Sequence, residues 1–255
     1  MTAAARDVFR DLFAEAERAR WTLEDVPWHA VQKDLASPEL AQLVRQIAAS
    51  EATTFSATQR FLQDFADDVE LTNWIAIWFY EETKHPYVML RWLAALGESH
   101  DADLMRRARV TAPFMKSRMA TLTSNIISEI VASARYMNLS ERSPEPVLSQ
   151  IARHLAGDEA RHAASFFTFA RRRLDDSKQP DVERRDAVKV LYLWLNEGDQ
   201  VRHPVNLFRS TQASAAAINA VQSRVIRTIG LLVGAPLRNA EDVMDWLKGD
   251  RNGTS

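Results

Sequence analysis

Cysteine is absent from the 255 residues. The chain therefore holds no disulfide, no thiolate zinc site, no iron–sulfur cluster and no thiol nucleophile, so any metal must be taken by His, Asp and Glu. Glycine and proline are scarce, at seven and nine residues. Between them lie long stretches of Ala, Leu, Arg, Glu and Gln with helical rather than alternating periodicity, and nothing reads as a sheet. Net charge is nearly absent too: 32 Lys and Arg against 34 Asp and Glu leave −2, which provides no global field for nucleic acid or a membrane surface. No segment approaches 18 uncharged apolar residues, and the opening MTAAARDVFRDLF mixes acids and bases without an apolar core. Neither a membrane span nor a secretory signal is expected, and the expectation is a soluble, cytoplasmic protein. What is present, 46% apolar and 26% charged residues, excludes a disordered chain and supplies a sizeable core.

Helix signals divide the chain. Ser37-Pro38-Glu39 places a capping side chain before a proline at the first helical position, predicting a helix from about 38 to 66. A second is expected from about 70 to 96, ending at Gly97, and a third from 102 or 113 to 138. NLSERSPEP, Asn138 to Pro146, reads as a break before a fourth helix to about Leu174. Further helices are expected from Pro180 to Asn196, near 213–232 and near 238–248. The expected architecture is all-α: one domain over 1–255, a four-helix bundle at about 38–174 with accessory C-terminal helices at about 181–248.

The second helix carries a stripe at Ile75, Trp78, Glu82, His85, Met89, Trp92 and Leu96, alternately three and four residues apart. That spacing faces a core, yet two of its members ionise. The fourth helix repeats it with Leu148, Ala152, Leu155, Glu159, His162, Phe166 and Phe169. On the first helix Glu51 falls in line with Ile47, Phe55, Thr58 and Leu62. On the third Glu129 falls in line with Met115, Met119, Leu122, Ile126 and Tyr136. Each core face thus carries its own acid.

Four carboxylates and two imidazoles in an apolar interior would each cost several kcal/mol or more if left unpaired, roughly, which a marginally stable domain does not absorb. Two divalent cations offset the four negative charges of Glu51, Glu82, Glu129 and Glu159, with His85 and His162 as neutral ligands. Residues three apart share a helix face, so Glu82 with His85, and Glu159 with His162, can serve one ion each, while Glu51 and Glu129 bridge or terminate. Oxygen and imidazole donors suit iron or manganese. The spacing also repeats: Glu51 to Glu129 is 78 residues, and Glu82 to Glu159 and His85 to His162 are 77 each. Two related helical hairpins about a pseudo-twofold axis are expected. A lone Glu-x-x-His is common on exposed helix faces; two in register with two further in-stripe acids are a far sharper signal.

Glu81-Glu82-Thr83-Lys84-His85 and Asp158-Glu159-Ala160-Arg161-His162 resemble the paired motifs of the soluble acyl-carrier-protein desaturases, compact bacterial type, within the ferritin-like di-iron superfamily. The resemblance extends from about Trp21 to Leu174. It implies that Glu51, Glu82, His85, Glu129, Glu159 and His162 match the ligands of two iron ions, with a manganese–iron pair as a variant. It implies O2 as co-substrate and an oxidant able to remove hydrogen from an unactivated C–H bond. The expected function is an O2-dependent di-iron oxidase that desaturates or hydroxylates an acyl chain, carrier-bound or not, or another small molecule. Without cysteine the chain carries no fused rubredoxin-type or iron–sulfur module, so a separate electron-donor protein is expected. The expected partners include no nucleic acid and no membrane, and the expected assembly is a homodimer. The rivals are a di-iron hydroxylase or N-oxygenase of a non-acyl molecule, an iron-storage or peroxide-scavenging ferritin relative, and a metal-free helical scaffold.

Asp158 and Glu81 each precede a ligand Glu and point about 100° away from it along the helix. Each is expected to accept the remaining ring N–H of the ligand His on the opposite helix, Asp158 for His85 and Glu81 for His162, with a solvated or salt-bridged acid as the alternative reading of Glu81. Three positions depart from the family pattern. Pro86 follows His85, which predicts a kink or widened turn. Ala132 stands where plant desaturases carry Thr, one turn after the third-helix Glu. Leu155 replaces the extra His of arylamine N-oxygenases. His154 falls off the ligand face, and His29, His100 and His203 lie outside the four stripes. Trp74, Trp78, Trp92 and Phe166 read as core. Basic clusters at Arg106, Arg107 and Arg109, at Lys116 and Arg118, and at Arg171, Arg172 and Arg173 are candidate docking points for an acidic carrier.

Overall fold

A computed structural model describes residues 7–99, 103, 105–106, 109, 117–197 and 214–249. Among them no strand occurs. The helices are α1 (Val8–Ala19), α2 (Pro38–Glu51), α3 (Thr54–Asp64), α4 (Val69–Leu96), α5 (Arg118–Arg142), α6 (Pro146–Asp176), α7 (Pro180–Glu197), α8 (Ala215–Val233) and α9 (Ala240–Gly249). His100, Arg107, Met115, Lys116 and His203 lie outside the described residues.

Local chemistry sets the helix ends. Ser37 Oγ accepts from Leu40 N at 3.2 Å with Pro38 at the first position, as expected. Asp68 Oδ1 accepts from Leu71 N to start α4, and Gly97 closes it with φ +92°, a conformation costly for any side chain. α4 runs through Pro86 as an uninterrupted α-helix, with no widened turn in its hydrogen-bonding pattern. α5 continues four residues past Asn138, which leaves only Ser143, Pro144 and Glu145 between α5 and α6.

The helix expected over 38–66 is two helices, broken at Ala52 and Thr53 directly after Glu51. Hydroxyls compete for the backbone here: Ser50 Oγ donates to Ile47 O and Thr53 Oγ1 to Ser50 O. The break shifts the phase of the buried face. Leu62, expected in the core stripe, is 44% exposed, while Phe61 and Phe65 are buried in its place. α1 and the three short 3₁₀ turns at Leu23–Asp25, Trp28–Ala30 and Lys33–Leu35 were not anticipated.

The chain divides into two compact units. Unit 1 comprises Met1–Pro113 and Leu139–Leu155; in it α4 packs against α1, α2 and α3. Its core includes Val44, Ile47, Phe61, Ile75, Met89, Trp92, Leu148 and Ile151. Unit 2 comprises Phe114–Asn138 and Ala156–Ser255; in it α7 packs against α8 and α9. Its core includes Met119, Ile126, Tyr136, Phe166, Leu191, Val225 and Leu232.

Candidate metal centre

Every charged member of the four stripes is buried, none more than 8% exposed. That removes the reading of these acids as a solvated face, and each buried charge demands compensation. In unit 1, α2 ends on Glu51, and α4 presents Glu82 and His85 one turn apart. One ligand atom from each of the three lies within 4.8 Å of the others. In unit 2, α5 supplies Glu129 and α6 supplies Glu159 and His162, again with one ligand atom from each within 4.8 Å of the others. The structure thus gives each unit a Glu, Glu, His trio carrying two negative charges when the imidazole is neutral.

The donor set fits a divalent cation. Two ligands about 2.1 Å from an ion and at right angles stand about 3 Å apart. His162 Nδ1 lies 3.2 Å from Glu159 Oε2, and His85 Nδ1 lies 3.9 Å from Glu82 Oε2. The charge of one divalent ion equals that of one trio, and hard oxygen with imidazole suits iron or manganese.

The surroundings of each trio differ. In unit 1, Thr54 Oγ1, on the first residue of α3, donates to Glu82 Oε2 at 3.1 Å. Trp78, one turn before Glu82, packs edge-on against Phe61 with ring centroids 5.8 Å apart. Lys84, between Glu82 and His85, turns outward: Nζ donates to Trp21 O at 3.0 Å and sits 4.2 Å from the Trp21 ring. Trp21 in turn stacks on His154, which accounts for that histidine as packing. His29 is exposed on a 3₁₀ turn. In unit 2, Arg161 Nη2 donates to Asp158 Oδ1 at 2.6 Å, so the fully buried Asp158 has a cationic partner on its own helix. Glu81 is buried as well, which excludes the reading of it as a solvated acid.

Residues that frame the site escaped the sequence reading. Glu145, fully buried, accepts from Gln32 N at 3.1 Å, Trp92 Nε1 at 2.7 Å, Val147 N at 3.3 Å and Leu148 N at 2.7 Å. One carboxylate therefore caps α6 and ties it to Trp92, two turns beyond His85 on α4. An acid immediately before a proline at a helix start was the available signal. The basic clusters are partly committed inside the molecule. Arg173 pairs with Glu183 at 2.6 Å, Arg172 and Arg171 lie over Phe169 and Phe167, Arg106 pairs with Asp103, and Arg109 covers Phe55.

Residues 120–206, about a third of the chain, match the family model described as Rubrerythrin. No curated protein matched the sequence. Three solved structures are variants of an R2-like ligand-binding oxidase. One with an aerobically reconstituted Mn/Fe cofactor has 17% identity and a TM-score of 0.61, covering 93% of this chain and 96% of its own. A second, with anaerobically reconstituted cofactor, has 17% identity and a TM-score of 0.58 over the same shares. A third, aerobically reconstituted, has 17% identity and a TM-score of 0.52, again over 93% and 96%. At that identity the likeness carries the fold: the chain has an all-α, ferritin-like architecture with additional C-terminal helices.

Proposed function

We propose that this chain is an O2-dependent di-metal oxidase in which Glu51, Glu82, His85, Glu129, Glu159 and His162 hold two ions, either two iron or one manganese and one iron. The observation that supports it most is the pair of buried Glu, Glu, His trios, each of which one divalent cation neutralises. The Mn/Fe cofactor of the R2-like ligand-binding oxidases is a property of those proteins, and it makes manganese a metal to test here. When bound, the metal pair supplies the reduction of O2 and the removal of hydrogen from an unactivated C–H bond.

The chain's own residues supply the rest. Asp158 and Glu81 orient the ligand imidazoles by accepting their remaining ring N–H groups, the tautomer-fixing role that such carboxylates play. Trp78 and Phe61, and Phe166 one turn after His162, exclude water beside the ligands. The substrate is an acyl chain or another small molecule with an apolar portion, consistent with those aromatic walls. Desaturation removes two hydrogen atoms, that is two protons and two electrons, from the substrate. Complete reduction of one O2 to two waters takes two further electrons, which a separate donor protein provides; the chain has no cysteine for a rubredoxin-type or iron–sulfur relay of its own.

The test is anaerobic loading with ferrous iron, alone or with manganese, followed by O2, a reductant and candidate substrates, both carrier-bound acyl chains and free small molecules. The proposal predicts O2 uptake coupled to a product two hydrogens lighter or one oxygen heavier by mass spectrometry. A product only from non-acyl molecules assigns the enzyme to that class. Iron taken up by the hundreds of ions per assembly, with no substrate oxidised, would replace the oxidase reading with storage.

A further inference from the structure

We propose that Thr54 is a positioning residue for the metal centre: its hydroxyl fixes the orientation of the Glu82 carboxylate and thereby tunes metal affinity in one half of the site. The inference rests on the metal reading above and adds to it a residue that no ligand motif contains.

Three observations carry it. The first is the contact itself, Thr54 Oγ1 donating to Glu82 Oε2 at 3.1 Å across α3 and α4. The second is how unusual that contact is for a helical threonine in this protein. Thr58, Thr72, Thr83, Thr121, Thr168 and Thr228 each donate to the carbonyl four residues earlier in the chain, the default for a hydroxyl in a helix. In an unbroken helix Thr54 would have had the Ser50 carbonyl for the same purpose. The break after Glu51 gives that carbonyl to Thr53, whose hydroxyl takes it at 2.9 Å, and Thr54 begins a new helix. The discontinuity releases one hydroxyl to the neighbouring ligand carboxylate.

The third observation is the asymmetry of the repeat. Glu51 lies 78 residues before Glu129, and the same step from Thr54 reaches Ala132, which has no hydroxyl. The adjacent Ser133 donates to Ala156 O at 2.9 Å. The restraint on Glu82 therefore has no equivalent at the corresponding position of the second half. A carboxylate ligand rotates between one-oxygen and two-oxygen binding, and a hydrogen bond to one oxygen limits that freedom. Partners of this kind are worth about 10- to 100-fold in metal affinity.

The experiment is a titration of the full chain with Mn(II) alone, following unbound Mn(II) by electron paramagnetic resonance, in wild type, Thr54→Val, Thr54→Ala and Thr54→Ser. Thr54→Val keeps the shape and removes the donor; Thr54→Ser keeps the donor. The inference predicts that Thr54→Val weakens at least one of the two binding steps about 10-fold or more and alters the bound-manganese spectrum, while Thr54→Ser stays within about 3-fold of wild type. If Thr54→Val folds poorly by circular dichroism, Thr54→Ser against Thr54→Ala carries the same comparison. Affinities and spectra of Thr54→Val that match wild type overturn the positioning role and leave the metal site standing. So does a Thr54→Ser variant weakened as much as Thr54→Val. Wild-type protein that binds no Mn(II) and no Fe(II) removes the metal reading itself, and this inference with it.

Discussion

Replacement of Glu145 by Ala tests whether the frame that places His85 is held by one carboxylate. The side chain is fully buried and accepts from four donors, three of them in fully or nearly fully buried residues: Trp92, Val147 and Leu148. A buried donor left without an acceptor costs about 1–3 kcal/mol, so three of them give about 3–6 kcal/mol after partial relaxation. Set against a total stability of about 5–15 kcal/mol, that is a large fraction. At about 2–4 °C per kcal/mol for a chain of this size, the melting temperature should fall by roughly 6–24 °C. Glu145→Gln keeps the volume and one acceptor oxygen, and should lose about a third to a half as much. Thermal unfolding followed by circular dichroism, on metal-free protein so that binding does not mask the loss, gives the comparison. A Glu145→Ala variant that melts within about 2 °C of wild type refutes the argument.

Other substitutions check separate links. Phe61→Ala should cost about 3–5 kcal/mol in chemical denaturation, and Leu62→Ala less than about 1 kcal/mol, because the break after Glu51 exchanged their places; equal losses would restore the continuous helix. The Thr123 hydroxyl is fully buried and has no hydrogen-bond partner among the described residues, so Thr123→Val should raise stability by about 1–2 kcal/mol. A loss in that variant would mean the hydroxyl is satisfied. The Thr22 backbone N–H and hydroxyl both donate to Asp25 Oδ2, at 2.7 and 3.1 Å, and hold its carboxyl below the ordinary 3.8. A folded-state value that is depressed contributes stability above the ordinary one and loses it as pH falls through the folded value. Thr22→Ala should therefore raise the Asp25 value in an NMR titration and shrink the acid dependence of stability; an unchanged titration curve would separate Asp25 from Thr22.

Much of this was legible from spacing alone. The stripes on α4 and α6 survive almost intact because a three-four alternation leaves a helix no other way to bury its apolar residues. The ionisable members of those stripes are buried with their neighbours, as a continuous stripe demands. The break at Ala52 and Thr53 was not legible. Its signal was the run Ser50, Thr53, Thr54, Ser56 and Thr58, and hydroxyls in a helix bond their own backbone as readily as they interrupt it. Leu62 was misplaced for the same reason, since a phase carried across a break is wrong beyond it. Thr54 was invisible because its importance depends on which helix faces it, a fact of packing rather than periodicity. Glu145 sits inside the segment that reads only as a break before the fourth helix, although its four donors come from segments as distant as Gln32.

The central claim is that the two trios hold a pair of ions, and metal content measures it most directly. Chain loaded anaerobically with Fe(II) or Mn(II), desalted and analysed by inductively coupled plasma mass spectrometry should carry two ions per polypeptide. Paired Glu82→Ala and His85→Ala changes, or Glu159→Ala and His162→Ala, should remove at least one ion while the helical circular dichroism persists. Wild-type protein with no bound metal, or a content indifferent to all four substitutions, would contradict the account.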